Sequence, residues 1–179
     1  MFNYKINEDL ELRLLEESHA EELFLLIDQS RKYLRKWLPW VDLTKEVADS
    51  KSFIDSGLKQ FNNNNGFQVG IWFKSKLAGV IGLHYINWTN KSTLIGYWLG
   101  EEFQGKGIMT NACKTIVGYC FEELGLKRIE IRVATENFKS QAIPERLGFT
   151  KEGCLRSAAI LYDKYIDLYV YGLLREEFD

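Results

Sequence analysis

Proline, cysteine and histidine are scarce in this 179-residue chain, with two, three and two residues. No Cys/His group has metal-ligand spacing, so no metal is expected. Cys113 and Cys120 lie on one predicted helix; a rise of about 1.5 Å per residue separates them by about 10 Å, beyond disulfide reach. All three cysteines read as reduced thiols, mostly buried. Basic charge is not in excess either: 23 Lys and Arg stand against 25 Asp and Glu, a net charge of -2. That excludes the clustered basic footprint of a nucleic-acid binder. No apolar run approaches the roughly 20 residues of a membrane span. The first residues, Met1 to Glu8, lack the apolar core of a signal peptide, so a cytoplasmic protein without a membrane partner is expected.

Apolar residues are what the chain has in quantity. They make up 46% of the chain, with 14% aromatic, enough to build one core from residues 1–179 as a single domain. Residues 10–15 alternate as a first strand. Ser18, with Glu21 three residues on, reads as a capping box for a helix carrying Leu23, Leu26 and Ile27. A short helix over Arg31–Trp37 ends at Pro39, inside an aromatic cluster of Trp37, Leu38, Pro39 and Trp40. The cluster suits either a substrate cover or a packing knot. A further helix is expected to start at Thr44 and to end in Asn62–Gly66. Strands follow over Gln68–Phe73, Leu77–Tyr85 and Thr93–Leu99. Gly79 and Gly82 mark a bulge or a close backbone approach.

The stretch from Gly96 to Met109 organises the rest. A strand ends in the acidic turn Gly100, Glu101 and Glu102, then Gln104, Gly105, Lys106 and Gly107 feed a helix. Such a junction offers free N–H groups, a favourable dipole and close backbone access, and Lys106 adds charge: an anion site for a phosphate-bearing ligand. The dinucleotide fingerprint would need a glycine at Thr110, and no Walker A Gly-Lys-Ser/Thr follows. The helix from Ile108 to Leu124 carries one apolar stripe and stops at Gly125. Arg128–Ala134 then alternates. Strand, helix and strand imply a right-handed crossover between parallel strands. A short helix over Ser140–Leu147 and two strands, Thr150–Leu161 and Lys164–Leu174, close the chain. The expected fold is α/β (α+β), a mixed sheet of about seven strands flanked by helices.

Gln104 to Gly107, with Asn137 to Ser140 and Leu147 to Phe149, resembles the GCN5-related N-acetyltransferase (GNAT) superfamily. The order of Ile95–Leu99, Gln104–Ile108, Asn137-x-x-Ser140, Pro144–Phe149 and Glu152-Gly153 is similar to the RimJ/RimL-like ribosomal-protein branch. The N-terminal Leu12–Leu15 and Trp37–Pro39 also fit that branch. The resemblance spans nearly the whole chain and implies acetyl-CoA as the phosphate-bearing ligand. By it, the diphosphate falls on Gln104, Gly105, Lys106, Gly107, Ile108, Met109 and Thr110. Met109 stands where a small residue is usual. The pantetheine arm falls on Trp98 and Leu99, with Asn137 beside it. Ser140 falls on the position that protonates the leaving thiolate, though a serine there is also a natural helix N-cap.

The proton acceptor is not evident. Leu94 and Ala159 occupy positions where relatives can carry an acid. His84, Tyr97 and an ordered water remain as candidates; a lone histidine in a strand is more often a packing residue. Asp167 is expected to pair with Arg132 or Arg156. Three functions compete: acetylation of a protein N-terminal α-amine, acetylation of a small amine such as a polyamine, an antibiotic or an aminoacyl compound, and silent acyl-CoA binding. A deep acidic pocket favours the cationic small amine, an open groove the peptide. Tyr162, Tyr165, Tyr169 and Tyr171 could pave a homodimer interface.

Overall fold

Period-two alternation, as in Leu10, Leu12 and Leu14, builds strands with one face toward a core. A computed structural model describes residues 2–178. One eight-stranded sheet runs in the order β1-β2-β3-β4-β5-β6-β8-β7. Its strands are β1 (Asn3–Lys5), β2 (Leu10–Leu14), β3 (Phe67–Phe73), β4 (Lys76–Asn87), β5 (Ser92–Leu99), β6 (Arg128–Ala134), β7 (Thr150–Leu161) and β8 (Lys164–Leu174). β1 is the strand beyond the expected seven. It spans three residues and pairs Tyr4 with Leu12, too short to show a period.

All neighbouring strands are antiparallel except β5 and β6. That parallel pair is joined by α4 (Ile108–Glu122), the expected crossover. Its ladder stops at Ile95 opposite Ile131, while β5 continues to Leu99 and β6 to Ala134. The sheet therefore splays at its middle, leaving the β6-side edge of Gly96–Leu99 outside the ladder. A sheet edge that opens within a core is a natural entry for an extended ligand.

Helices cover both faces. α1 (Ala20–Gln29) and α3 (Val47–Asn62) pack together against β4 and β3. α4 buries Ile108, Ala112, Cys113, Ile116, Val117, Cys120 and Phe121 on the other face, where Tyr119 meets Phe67 edge-on at 5.6 Å. α5 (Phe138–Arg146) lies beside α4.

Several expected helix starts moved. Residues 17–19 form a 3-10 turn, and Ser18 caps nothing. The reciprocal box is Glu16 with His19, whose ring also packs on Trp72 at 4.9 Å. α3 starts at Val47 with a Glu46–Asp49 box, not at Thr44. The reason is Arg31, which donates to the carbonyls of Val41 (2.5 Å) and Thr44 (2.8 Å) and holds 39–43 as a 3-10 turn. α2 spans only Arg31–Leu34, so Trp37 lies outside a helix. Cys113 and Cys120 are buried free thiols, but Cys154 is exposed because β7 is an edge strand. Asp167 pairs with neither arginine: it accepts from the Ser157 N–H at 2.8 Å, holding the β7 bulge, while Arg132 binds Glu130. Among the described residues no helix is long and apolar enough to cross a membrane.

Candidate active site

The loop after β5 is built from its own side chains. Gln104 folds back, its Nε2 donating to the Leu99 carbonyl at 3.1 Å. Gly105 and Gly107 sit at φ +72° and +71°, a region disfavoured for residues with a Cβ. Gly107 is the N-cap of α4, and no side chain caps that helix. The N–H groups of Ile108, Met109 and Thr110 are thus left for a ligand, at the positive end of a 15-residue helix. They line a cavity of about 650 Å³ together with Lys139 and Arg146 of α5. Lys106 turns back to donate to the Glu102 carbonyl at 2.9 Å. The Met109 side chain is buried, so the bulky residue is absorbed by the core.

Lys139 and Arg146 went unnoticed in the sequence, although their separation of seven places them on one helical face. Exposed charges of this kind contribute about 0.5–1 kcal/mol each. Replacing both with alanine is expected to weaken acetyl-CoA binding about tenfold at low salt and less at high salt, read by calorimetry.

A second cavity of about 120 Å³ continues from the first and shares Leu99, Gln104, Met109, Lys139 and Ile143 with it. Tyr97, Trp98, Asn137 and Ser140 also line it, beside Trp37. Asn137, not Ser140, is the N-cap of α5: its side chain accepts from the Ser140 N–H at 3.3 Å. Ser140 therefore keeps its hydroxyl free of a capping duty, with Oγ 3.4 Å from Tyr97 Oη. Tyr97 Oη donates to the Ser140 carbonyl at 3.0 Å. Burial raises the Tyr97 pKa far above the ordinary tyrosine range, so this hydroxyl stays protonated and is no base.

A third cavity, of about 610 Å³, lies on the α1/α3 face and shares Leu38, Tyr97 and Trp98 with the second. Trp40, from the aromatic cluster, stands 5.9 Å from Trp98 between ring centroids. Phe53 of α3 faces it, half exposed. Asp49 is the one charged residue among its lining, and its Oδ2 already accepts from the N–H groups of Lys45 (2.8 Å) and Glu46 (3.1 Å). Neither Leu94 nor Ala159 lines it. The three cavities form one path from a phosphate cradle, past Ser140, to a separate chamber. The uncapped helix, the cradle and the splayed strand edge fit a long ligand with a diphosphate at one end.

The chain matches the family model for the acetyltransferase (GNAT) domain over residues 9–150. It belongs to the GNAT acetyltransferase family. It is 40% identical to the putative ribosomal N-acetyltransferase YdaF of Bacillus subtilis (strain 168), covering 100% of this chain and 98% of that one. Microcin C7 self immunity acetyltransferase MccE, solved with acetyl-CoA and AMP, superposes with a TM-score of 0.91 at 37% identity, over 95% and 94% of the two chains. RimL, a ribosomal L7/L12 alpha-N-protein acetyltransferase solved with coenzyme A, gives 0.93 at 27% identity, over 97% and 98%. This GNAT enzyme is an acyltransferase with acetyl-CoA as its acetyl donor.

Proposed function

We propose that this enzyme acetylates the α-amino group of a protein N-terminus, as a single catalytic domain acting in the cytoplasm. The observation that carries the acceptor assignment is the chamber beyond Ser140: wide, rimmed by Trp40 and Phe53, and holding one carboxylate that two N–H groups already engage. A polyamine site would need several free carboxylates. The likeness to YdaF and RimL, named as ribosomal-protein acetyltransferases, supports the same reading. In it, the N–H groups of Gly105 to Thr110 and the charges of Lys139 and Arg146 hold the diphosphate, beside Gln104 and Lys106. The free edge of Trp98 and Leu99 guides the pantetheine, with Asn137 beside it. Ser140 Oγ meets the departing thiolate.

One observation favours a second reading. The Trp40–Trp98 pair could also hold a planar ring, and the MccE structure includes AMP, so an aminoacyl compound is the alternative acceptor. Free-thiol release from acetyl-CoA decides between them. Peptides starting with Ser or Ala should exceed spermidine, aminoglycosides and aminoacyl nucleotides at least tenfold in kcat/KM. The reverse order would overturn the proposal.

We also infer a homodimer built on the β7–β8 arm, where Leu155, Ile160, Tyr162 and Tyr165 are exposed. Tyr171 is fully buried and Tyr169 half-buried, so neither is available for that interface. Sedimentation of the purified protein as a monomer at micromolar concentration would contradict it.

A further inference from the structure

The acceptor chamber contains one imidazole, and the fold takes trouble to aim it. β4 pairs Leu83 with Ile95 and then Ile86 with Thr93, so His84 and Tyr85 together oppose the single residue Leu94. This is a bulge, a device that re-aims side chains at active sites. Gln60 of α3 pins it, its Nε2 donating to the carbonyls of Leu83 and His84 at 2.9 Å each. The His84 ring then lies over Gly96 of β5. A Cβ at Gly96 would fall within 2.8 Å of the His84 Cε1 and closer still to Nε2. Only glycine leaves room for that ring. Gly96 is followed by Tyr97 and Trp98, which with Leu38 wall both the thiol cavity and the chamber. His84 therefore stands in the acceptor space within two residues of the shared wall.

The ring has no structural duty that would explain its place. Among the described residues neither ring nitrogen has a hydrogen-bond partner within the chain, and the side chain is exposed toward the chamber. Ser50, on the same chamber lining, is 2% exposed, and its Oγ has no hydrogen-bond partner among the described residues. Buried hydroxyls are rarely left without a partner, so a polar ligand group is expected beside it.

We propose that His84 is the catalytic residue that takes the proton from the acceptor ammonium, and that Ser50 Oγ hydrogen-bonds the acceptor. The proposal rests on the acetyl-transfer reading. His84 accepts one proton from R–NH3+, giving R–NH2 and an imidazolium. The nitrogen lone pair then forms the C–N bond at the thioester carbonyl. The C–S bond breaks, and the second nitrogen proton goes to the thiolate sulfur through Ser140 Oγ. The imidazolium releases its proton to water. The products are the acetamide, free thiol and one proton.

The titratable groups facing His84 are few: Asp49 from α3 and Tyr97 from β5 among the chamber lining, with none from α1. Desolvation by the walls around the partly exposed ring lowers the His84 pKa from its ordinary value, which favours the neutral form that can accept a proton. That also selects the acceptor. An α-ammonium, pKa about 8, gives up its proton to any such base about a hundredfold more readily than an alkylammonium at about 10.4.

The test is kcat/KM for the acceptor as a function of pH, for wild type and His84→Gln. Wild type should be flat through neutral pH and fall on the acid side of the ordinary imidazole range, as the ring becomes charged. Without the base only amine that arrives neutral reacts. For an α-amine the variant should be about tenfold slower at pH 7, and should equal wild type above about pH 9. For an alkylamine, whose proton transfer to His84 is itself about a hundredfold harder, both enzymes should be slow at pH 7 and the deficit should again be about tenfold. Gly96→Ala, which displaces only the far end of the His84 side chain, should reproduce the profile with the fold intact. A pH-independent deficit, a wild-type profile in His84→Gln, or a loss of acetyl-CoA affinity would overturn the assignment. Failure of the N-terminal reading shows separately, in wild type: the amine it does acetylate is then the acceptor used for the profile.

Discussion

Gly107→Val is expected to raise the Kd for acetyl-CoA at least a hundredfold while the protein still folds. Gly107 caps α4 with φ +71°, and the α4 N–H groups after it have no side-chain partner. A β-branched residue in that conformation costs about 1–2 kcal/mol. The chain can relieve the strain by turning the loop out of the left-handed region, which re-aims the donors. Space is not the obstacle: a Cβ there would meet only Asn111 Nδ2, at 3.8 Å. Melting should therefore fall by only about 2–8 °C. The loss of binding reflects several N–H donors to a charged group, each worth about 1.5–3 kcal/mol. Calorimetry reads the affinity and circular dichroism the fold. Unchanged affinity would remove the phosphate cradle from this loop.

Ser140→Ala is expected to lower kcat about 10–100-fold with acetyl-CoA affinity nearly unchanged. Ser140 Oγ is the hydroxyl that α5 presents in the thiol cavity, 3.4 Å from a Tyr97 hydroxyl that burial keeps protonated. The helix does not need it, because Asn137 is the cap. Stability should change little. The effect is bounded above by the leaving group: a thiolate of pKa about 8.5 departs with modest help. An equal kcat in variant and wild type would reduce Ser140 to a lining residue. A large loss of affinity instead would make it part of the pantetheine site.

The proposed donor half of the site is legible in the chain because it is local. Gln104 to Thr110 is one strand-turn-helix junction that spacing reports, while Asn137 and Ser140, at one helix start, entered through the family resemblance. The crossover was legible for the same reason, through the stripe from Ile108 to Phe121. The acceptor chamber was not. Its floor comes from register: Gln68 opposite Gly82, Gly82 opposite Gly96, and Val80 opposite Trp98. Ser50 and Phe53 descend on it from α3. No spacing rule connects residues on four elements. His84 was visible as a candidate but looked like packing, because a bulge leaves no mark in the hydrophobic pattern. The helix starts at Ser18 and Thr44 failed through competition. His19 answers Glu16, and Arg31 takes the Thr44 carbonyl; both partners are fixed by tertiary contacts.

The central claim is the single path from the α4 N-terminus past Ser140 into the chamber under Trp40. A crystal structure of the protein with coenzyme A tests it most directly. The account predicts the diphosphate on the N–H groups of Gly105 to Thr110 and the thiol beside Tyr97 and Ser140, facing the chamber that holds His84. A diphosphate bound elsewhere, or a thiol pointing away from Ser140, would contradict it.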